Sequence, residues 1–251
     1  LNVRPLDSDH GNLNFGGYLV NVKETDSFAI SEVQALAKSG SKVVIRKGAP
    51  GYITNVSFDR HLYQPLLAKE NINSSQLSIQ PQGLNVGEKQ FVCDLKRYLK
   101  LHANIFSDKD VFLLRNLPRR GIGFFETSYF YPDFIIWVKT EERQNIIFVD
   151  PKGIGLNTMG LYDEKIMLHE RIKDFEKKIL AKNKDVSVIL DSFIVSVTRY
   201  EDVRASFGRR QRSEIEENQG ILFQEDRNYI EKIMKCIDHF IKSAQTPDGF
   251  G

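Results

Sequence analysis

Apolar positions along the chain fall into two kinds of run. Nearly continuous apolar stretches at residues 111–114, 134–138, 146–149 and 186–197 are bounded by charged or turn residues, which predicts strands buried on both faces. The last of these is interrupted by Asp191-Ser192, read as a bend or bulge. Elsewhere the apolar spacing is helical. A helix beginning near Asn85 carries Phe91, Val92, Leu95 and Leu99 on one stripe, with Lys89, Asp94, Lys96, Arg97 and Lys100 opposite. A longer one over 161–181 lines up Leu161, Leu168, Ile172, Phe175 and Ile179. Its outer side is assigned His169, Glu170, Arg171, Lys173 and Lys177. A final helix uses Ile230, Ile233, Ile237 and Phe240 before a frayed tail over 243–251, and residues 221–223 read as a short edge strand. Strand, helix and strand in succession across 146–197 predict a crossover unit, hence an α/β fold with a mixed central sheet flanked by helices.

The first 80 residues are less regular. Residues 7–12 are turn-rich, 18–22 and 42–45 read as strands, and Ser31 is placed to cap a short helix through Ala37. Leu62, Leu66 and Leu67 predict a short helix or packed connector over 61–68. The polar loop 71–75 is then the boundary between a small N-terminal annex, 1–80, and a main domain, 81–251.

Composition narrows the class. In 251 residues, 27% charged and 41% hydrophobic, there is room for one sizeable core plus an annex. A net charge of +2 means that any nucleic-acid contact must come from local patches. Cys93 and Cys236 are far apart and lack metal-type spacing, pointing to a reducing cytoplasm and no zinc knuckle. No apolar run is long enough to span a membrane, and no signal peptide is visible. The chain starts at Leu1, which reads as a fragment of a longer polypeptide.

Candidate chemistry concentrates between Tyr131 and Lys152. Asp133 opens one buried strand and Asp150 closes the next, so an antiparallel hairpin brings both carboxylates to one end of the sheet. Strand alternation puts Asp150 and Lys152 on one face, with Pro151 between them and its carbonyl available to a cation. Two converging carboxylates suit a hard ion such as Mg2+, and a nearby lysine can position the attacking water. Asn85-Val86-Gly87-Glu88 reads as a capping box. Arg115, Arg119 and Arg120 fall in a glycine-containing loop without acids, and Arg209, Arg210 and Arg212 form the most basic cluster; both suit phosphate contact, against the plainer reading of solvated turns. Glu126 reads as a surface residue, as do His169, Lys165 and Lys173. The chain has no phosphate-binding Gly-x-x-x-x-Gly-Lys motif of its own.

Pro132-Asp133 followed by Asp150-Pro151-Lys152 resembles the signature of the PD-(D/E)xK nuclease superfamily. Gly123-Phe124-Phe125-Glu126, Phe130-Tyr131-Pro132-Asp133-Phe134 and Phe148-Val149-Asp150-Pro151-Lys152-Gly153 look like the C-terminal endonuclease domain of type III restriction subunits and related helicase-nucleases. The resemblance covers roughly residues 84–240. It implies a restriction-endonuclease-like fold and a magnesium-dependent endonuclease acting on double-stranded DNA. It also implies an ATP-driven helicase motor in the same polypeptide, a DNA-methyltransferase modification subunit as partner, and a role in phage defence. On that pattern Asp133, Asp150 and the Pro151 carbonyl hold the metal, Glu88 on the first core helix assists, and Lys152 serves the attacking water. Two alternatives stay open: an inactive nuclease fold kept for DNA binding or docking, and a free-standing repair or junction nuclease.

Overall fold

The computed structural model describes residues 19–22, 31, 52–55, 58, 66–70, 77–80, 82–116, 131–154, 164–183 and 187–243. Among the described residues before Asn85 are four short strands, β1 (Leu19–Val22), β2 (Tyr52–Asn55), β3 (Leu67–Glu70) and β4 (Leu77–Gln80). They pair antiparallel as two ribbons, β1 with β4 and β2 with β3. Two-stranded ribbons are marginal alone. Here Phe58, Leu66 and Ala68 are buried in the same core as Leu84, and the Leu84 amide donates to Leu67 O at 2.7 Å. The helix or connector expected over 61–68 is corrected to include the start of β3. Leu66, Leu67 and Ala68 are buried consecutively, which a strand pressed into a core allows and a one-sided helix does not. The strand expected over 42–45 and the rest of the helix after Ser31 lie outside the described residues.

Helix α1 (Val86–Leu101) buries Phe91, Val92 and Leu95 as its spacing predicts, with Leu99 packed beside them. A five-stranded sheet follows, in the order β5 (Asp110–Arg115), β6 (Phe134–Lys139), β7 (Gln144–Lys152), β8 (Val188–Ser196) and β9 (Ile221–Phe223). The first two pairings are antiparallel and the last two parallel, so the sheet is mixed. Helix α2 (Glu164–Lys182) makes the β7-to-β8 crossover. The β8-to-β9 connection holds α3 (Tyr200–Val203), a 3-10 turn at Arg204–Phe207 and α4 (Arg212–Gln219), and α5 (Tyr229–Ser243) closes the chain.

Period-two alternation assigns the two faces of the sheet. Leu113, Phe134, Ile136, Val138, Ile147 and Val149 face α1 and α5. Leu114, Ile135, Trp137, Ile146 and Phe148 face Leu168 and Ile172 of α2. Each such side chain contributes about 1.5–3 kcal/mol by leaving water, so strands with no polar face are held from both sides. The result is a mixed α/β fold, a five-stranded sheet flanked by helices.

The interruption expected at Asp191-Ser192 is absent. β8 runs through both residues in unbroken register with Ile147 and Phe148. Asp191 can stay in the strand because Lys173 Nζ lies 3.1 Å from its carboxylate. Lys173 and His169, expected on the outer side of α2, are instead turned onto β8. Lys173 Nζ donates to Leu190 O at 2.7 Å, Glu176 accepts the Leu190 amide at 2.7 Å, and His169 Nδ1 lies 2.6 Å from Ser192 O. The reason is that β9 pairs only with residues 194–196 of β8, leaving the preceding peptide groups in need of partners. Gly220, at φ 61°, passes directly under the His169 ring, where any Cβ would collide with the imidazole.

Candidate active site

The β6–β7 hairpin closes through the Thr140 amide donating to Arg143 O at 2.9 Å. Its register pairs Phe134 with Val149, so Asp133 and Asp150 are the next positions outward at the same end. The Asp133 backbone is strapped to the end of β5 by one buried residue, Asn116. Its amide donates to Asp133 O at 2.7 Å and its Nδ2 to Pro132 O at 2.8 Å. On β7, Lys152 Nζ stands 3.5 Å from Asp150 Oδ2, as alternation on one face predicts. The Val197 amide donates to Lys152 O, so strand alternation turns the peptide groups of Pro151 toward the β6 side. Beyond the last β6–β7 pair, that side needs no amide donor, which makes proline tolerable there.

Glu88 joins the cluster from α1. The capping box is present in full: Asn85 Oδ1 accepts the Glu88 amide at 2.9 Å, and Glu88 Oε2 accepts the Asn85 amide at 3.2 Å. Asn85 Nδ2 donates to Glu88 Oε1 at 2.7 Å. Arg115 is the last residue of β5, not the first of an exposed loop. It is buried, with a guanidinium nitrogen 3.3 Å from Glu88 Oε2. Gly87 lets this turn of α1 approach the end of β8, where a Cβ would run into Val197. Gln224, just past β9, donates to Gly87 O at 2.9 Å.

Electrostatics marks the three carboxyl groups as one unit. Burial, then the facing Asp150 carboxylate and then Glu88, push Asp133 up to about 9 from an ordinary 3.8. Burial raises Glu88 as well, opposed by Arg115 and the Asn85 amide and assisted by Asp150. Asp133 and Asp150 face each other across the end of the β6–β7 pair, and two carboxylates brought together in this way repel unless one keeps a proton.

The fit to a hard cation can be judged from these oxygens. Asp150 Oδ2 is buried and has no hydrogen-bond partner, the Lys152 ammonium at 3.5 Å being an ion-pair contact. An orphaned buried acceptor beside a second carboxylate is what an oxygen-loving ion would satisfy. Among the described residues, no three His, Cys, Asp or Glu groups converge as a metal cluster. Two carboxylates with a backbone carbonyl remain, a donor set that suits magnesium, which keeps several of its waters.

Of the other candidates, Arg119, Arg120, Glu126 and Lys165 have side chains outside the described residues. Of the basic cluster, Arg209 and Arg210 lie in an exposed turn, while Arg212 is drawn into a helix. Gly208 and Arg209 turn through left-handed backbone, and Arg212 starts α4. Arg212 is enclosed by acids, 3.0 Å from Glu216, 3.5 Å from Glu225 and 2.9 Å from Asp226, with its guanidinium over the Phe223 ring. Arg209 and Arg210 are exposed, Arg210 lying 3.7 Å from Glu214. All three lie beyond the carboxyl ends of β8 and β9, the same end of the sheet as Asp150. Sequence reasoning missed Asn116, Gln224 and the Arg115–Glu88 pair, whose partners are 16 to 137 residues away and leave no local signal. Comparison with protein-family models, curated proteins and solved structures finds no match to this chain.

Proposed function

We propose that the chain is the nuclease domain of a magnesium-dependent DNA endonuclease, of the kind carried by type III restriction enzymes and related helicase-nucleases. The observation that carries this reading is the convergence of Asp133, Asp150 and Lys152 at one sheet end, with a buried Asp150 oxygen lacking a hydrogen-bond partner. Phosphodiester hydrolysis needs in-line attack by water on a phosphorus shielded by negative oxygens, so a site for it must neutralise charge and supply hydroxide. Asp133 and Asp150, with the Pro151 carbonyl, would hold the ion. When bound, magnesium supplies charge neutralisation and a more acidic water. Lys152 orients the attacking water and stabilises charge that develops on the phosphate. Asn116 keeps Asp133 facing Asp150, and Asp133 would have to give up its proton to serve as a ligand. The motor, the DNA-methyltransferase subunit and the choice of double-stranded DNA rest on the sequence resemblance alone.

The test is cleavage of plasmid DNA with Mg2+ and ATP by the intact protein and by Asp150→Asn, Asp133→Ala and Lys152→Ala. Each variant should lose cleavage while keeping its circular dichroism spectrum and any ATPase activity. Undiminished cutting by Asp150→Asn would sink the reading.

A further inference from the structure

We propose that the turn between the 3-10 segment and α4, with Arg204, Arg209 and Arg210 on it, is the platform that grips the backbone of the DNA substrate beside the Asp133–Asp150 pair. The inference rests on the nuclease reading above and concerns the surface that holds the substrate.

A site lined with Glu88, Asp133 and Asp150 repels a phosphate backbone, so the attraction that brings a polyanion to it has to come from cations set to one side. Within the site, Arg115 and Lys152 are in ion pairs with Glu88 and Asp150. The connection from β8 to β9 supplies arginines at the same end of the sheet, and the route to them is short. The Val197 amide donates to Lys152 O and the Ile154 amide to Thr198 Oγ1, each at 3.0 Å. From there α3 and the 3-10 segment lead to the turn. A few extended residues and two short helical pieces place its start within about 25 Å of the end of β8, the length of about seven base pairs.

The turn is firmly seated. Phe207 is fully buried in one cluster with Tyr200 and with Ile154, two residues past Lys152. The Tyr200 hydroxyl donates to Arg210 O at 2.6 Å, and the Arg209 and Arg210 amides donate to Arg204 O and Phe207 O. Gly208 and Arg209 both take left-handed backbone, at φ 63° and 58°. That conformation suits glycine and opposes an arginine, which gives the Arg209 side chain a reason to be kept for its charge. Arg204, Arg209 and Arg210 are all exposed. Arg204 Nη1 stands 3.9 Å from Glu201 and Arg210 Nε 3.7 Å from Glu214, exposed and loosely held pairs that a phosphate can displace. The closer ion pairs of this region take other arginines: Arg199 pairs with Glu225, and Arg212 with Glu216, Glu225 and Asp226. The three on the turn are left facing solvent, with planar guanidinium groups whose donors match phosphate oxygens.

The experiment is binding of a short fluorescein-labelled DNA duplex to the full chain in EDTA, where nothing is cut, followed by anisotropy from roughly 50 to 200 mM salt. Arg204→Gln/Arg209→Gly/Arg210→Gln should weaken binding about tenfold or more at the low-salt end. It should also flatten the slope of log affinity against log salt by about 2 to 3. Glycine is placed at 209 because it accepts the left-handed backbone, so the variant should keep its circular dichroism spectrum. If it loses its fold, Arg209→Gly alone decides, with a slope flattened by about 1. The control is Lys177→Gln/Lys178→Gln/Lys182→Gln, which removes the same charge from the last turns of α2, where the chain returns to the start of β8 at the opposite end of the sheet. It should bind within about twofold of wild type. Equal weakening in the two triple variants, an arginine variant that binds like wild type, or a wild type that does not bind the duplex would overturn the proposal. The nuclease reading fails by a different result, undiminished cutting by Asp150→Asn, whatever the turn does.

Discussion

Replacing Asp150 with asparagine keeps the size of the side chain and removes the carboxylate that faces Asp133, together with its ion-pair contact to Lys152, so the electrostatics of the pair is read from the pH dependence of the stability difference. In the metal-free protein Asp133 holds its proton to about 9, first through burial and then through Asp150. In the unfolded chain an aspartate gives it up near pH ~3.9. The folded state therefore binds a proton that the unfolded state has lost. The associated stability is fully present below the unfolded value and is lost as pH rises toward the folded one, by about 1.4 kcal/mol per pH unit. Between roughly pH 6 and pH 8 this single group removes about 3 kcal/mol. In Asp150→Asn burial alone still raises Asp133, so the proton is released at lower pH and the decline ends sooner. The variant should be about 1–3 kcal/mol more stable than wild type near pH 8, about 2–4 °C in Tm per kcal/mol. Urea denaturation in EDTA across roughly pH 5 to 9 measures this directly. Equal slopes in the two proteins, or a variant less stable than wild type at the alkaline end, would refute the reasoning, because the carboxyl groups would then not interact.

Lys152→Ala should lower single-turnover DNA cleavage by about 10²-fold or more while leaving Mn2+ binding measurable, since its ammonium serves the water and not the ion. Asn85→Ala should cost about 1 kcal/mol through loss of the α1 cap, read by urea denaturation. Gly220→Ala adds a Cβ in left-handed backbone against the His169 ring and should lower stability by about 1–3 kcal/mol, seen as a drop in Tm. Lys173→Met leaves Leu190 O and Asp191 without this cation and should cost about 1–3 kcal/mol by the same measurement, while Lys173→Arg should recover part of it.

What could be read from the sequence was whatever repeats at a short period or sits next to its partner. Apolar runs without a polar alternate located β6, β7 and β8, because strands covered on both faces have no water-facing position to mark. The hairpin and the two-residue step from Asp150 to Lys152 then located the site, being consequences of strand geometry alone. What escaped depended on contacts between distant segments. Asn116 binds across 16 residues and Gln224 across 137, and neither lies in a pattern that foretells its partner. Lys173 and His169 look like ordinary outer residues of α2. Only the shortness of β9 gives them a strand edge to cover, and that length is set by where Gly220 and the turn after Phe223 fall. Arg115 misled for a related reason: a charged residue after an apolar run resembles the start of a loop until a buried glutamate is found to receive it.

The side chains that α2 lays along β8 bear on how this domain meets other molecules. Among the described residues, the stretch of β8 before Ile194 has no neighbouring strand on the β9 side, yet the Leu190 amide and carbonyl and the Ser192 carbonyl there are already occupied. A foreign segment arriving there in extended form would have to displace side chains of α2 from three of these backbone groups. Side chains laid over an edge in this way hinder strand-by-strand growth, whether by a second copy or by an aggregating neighbour.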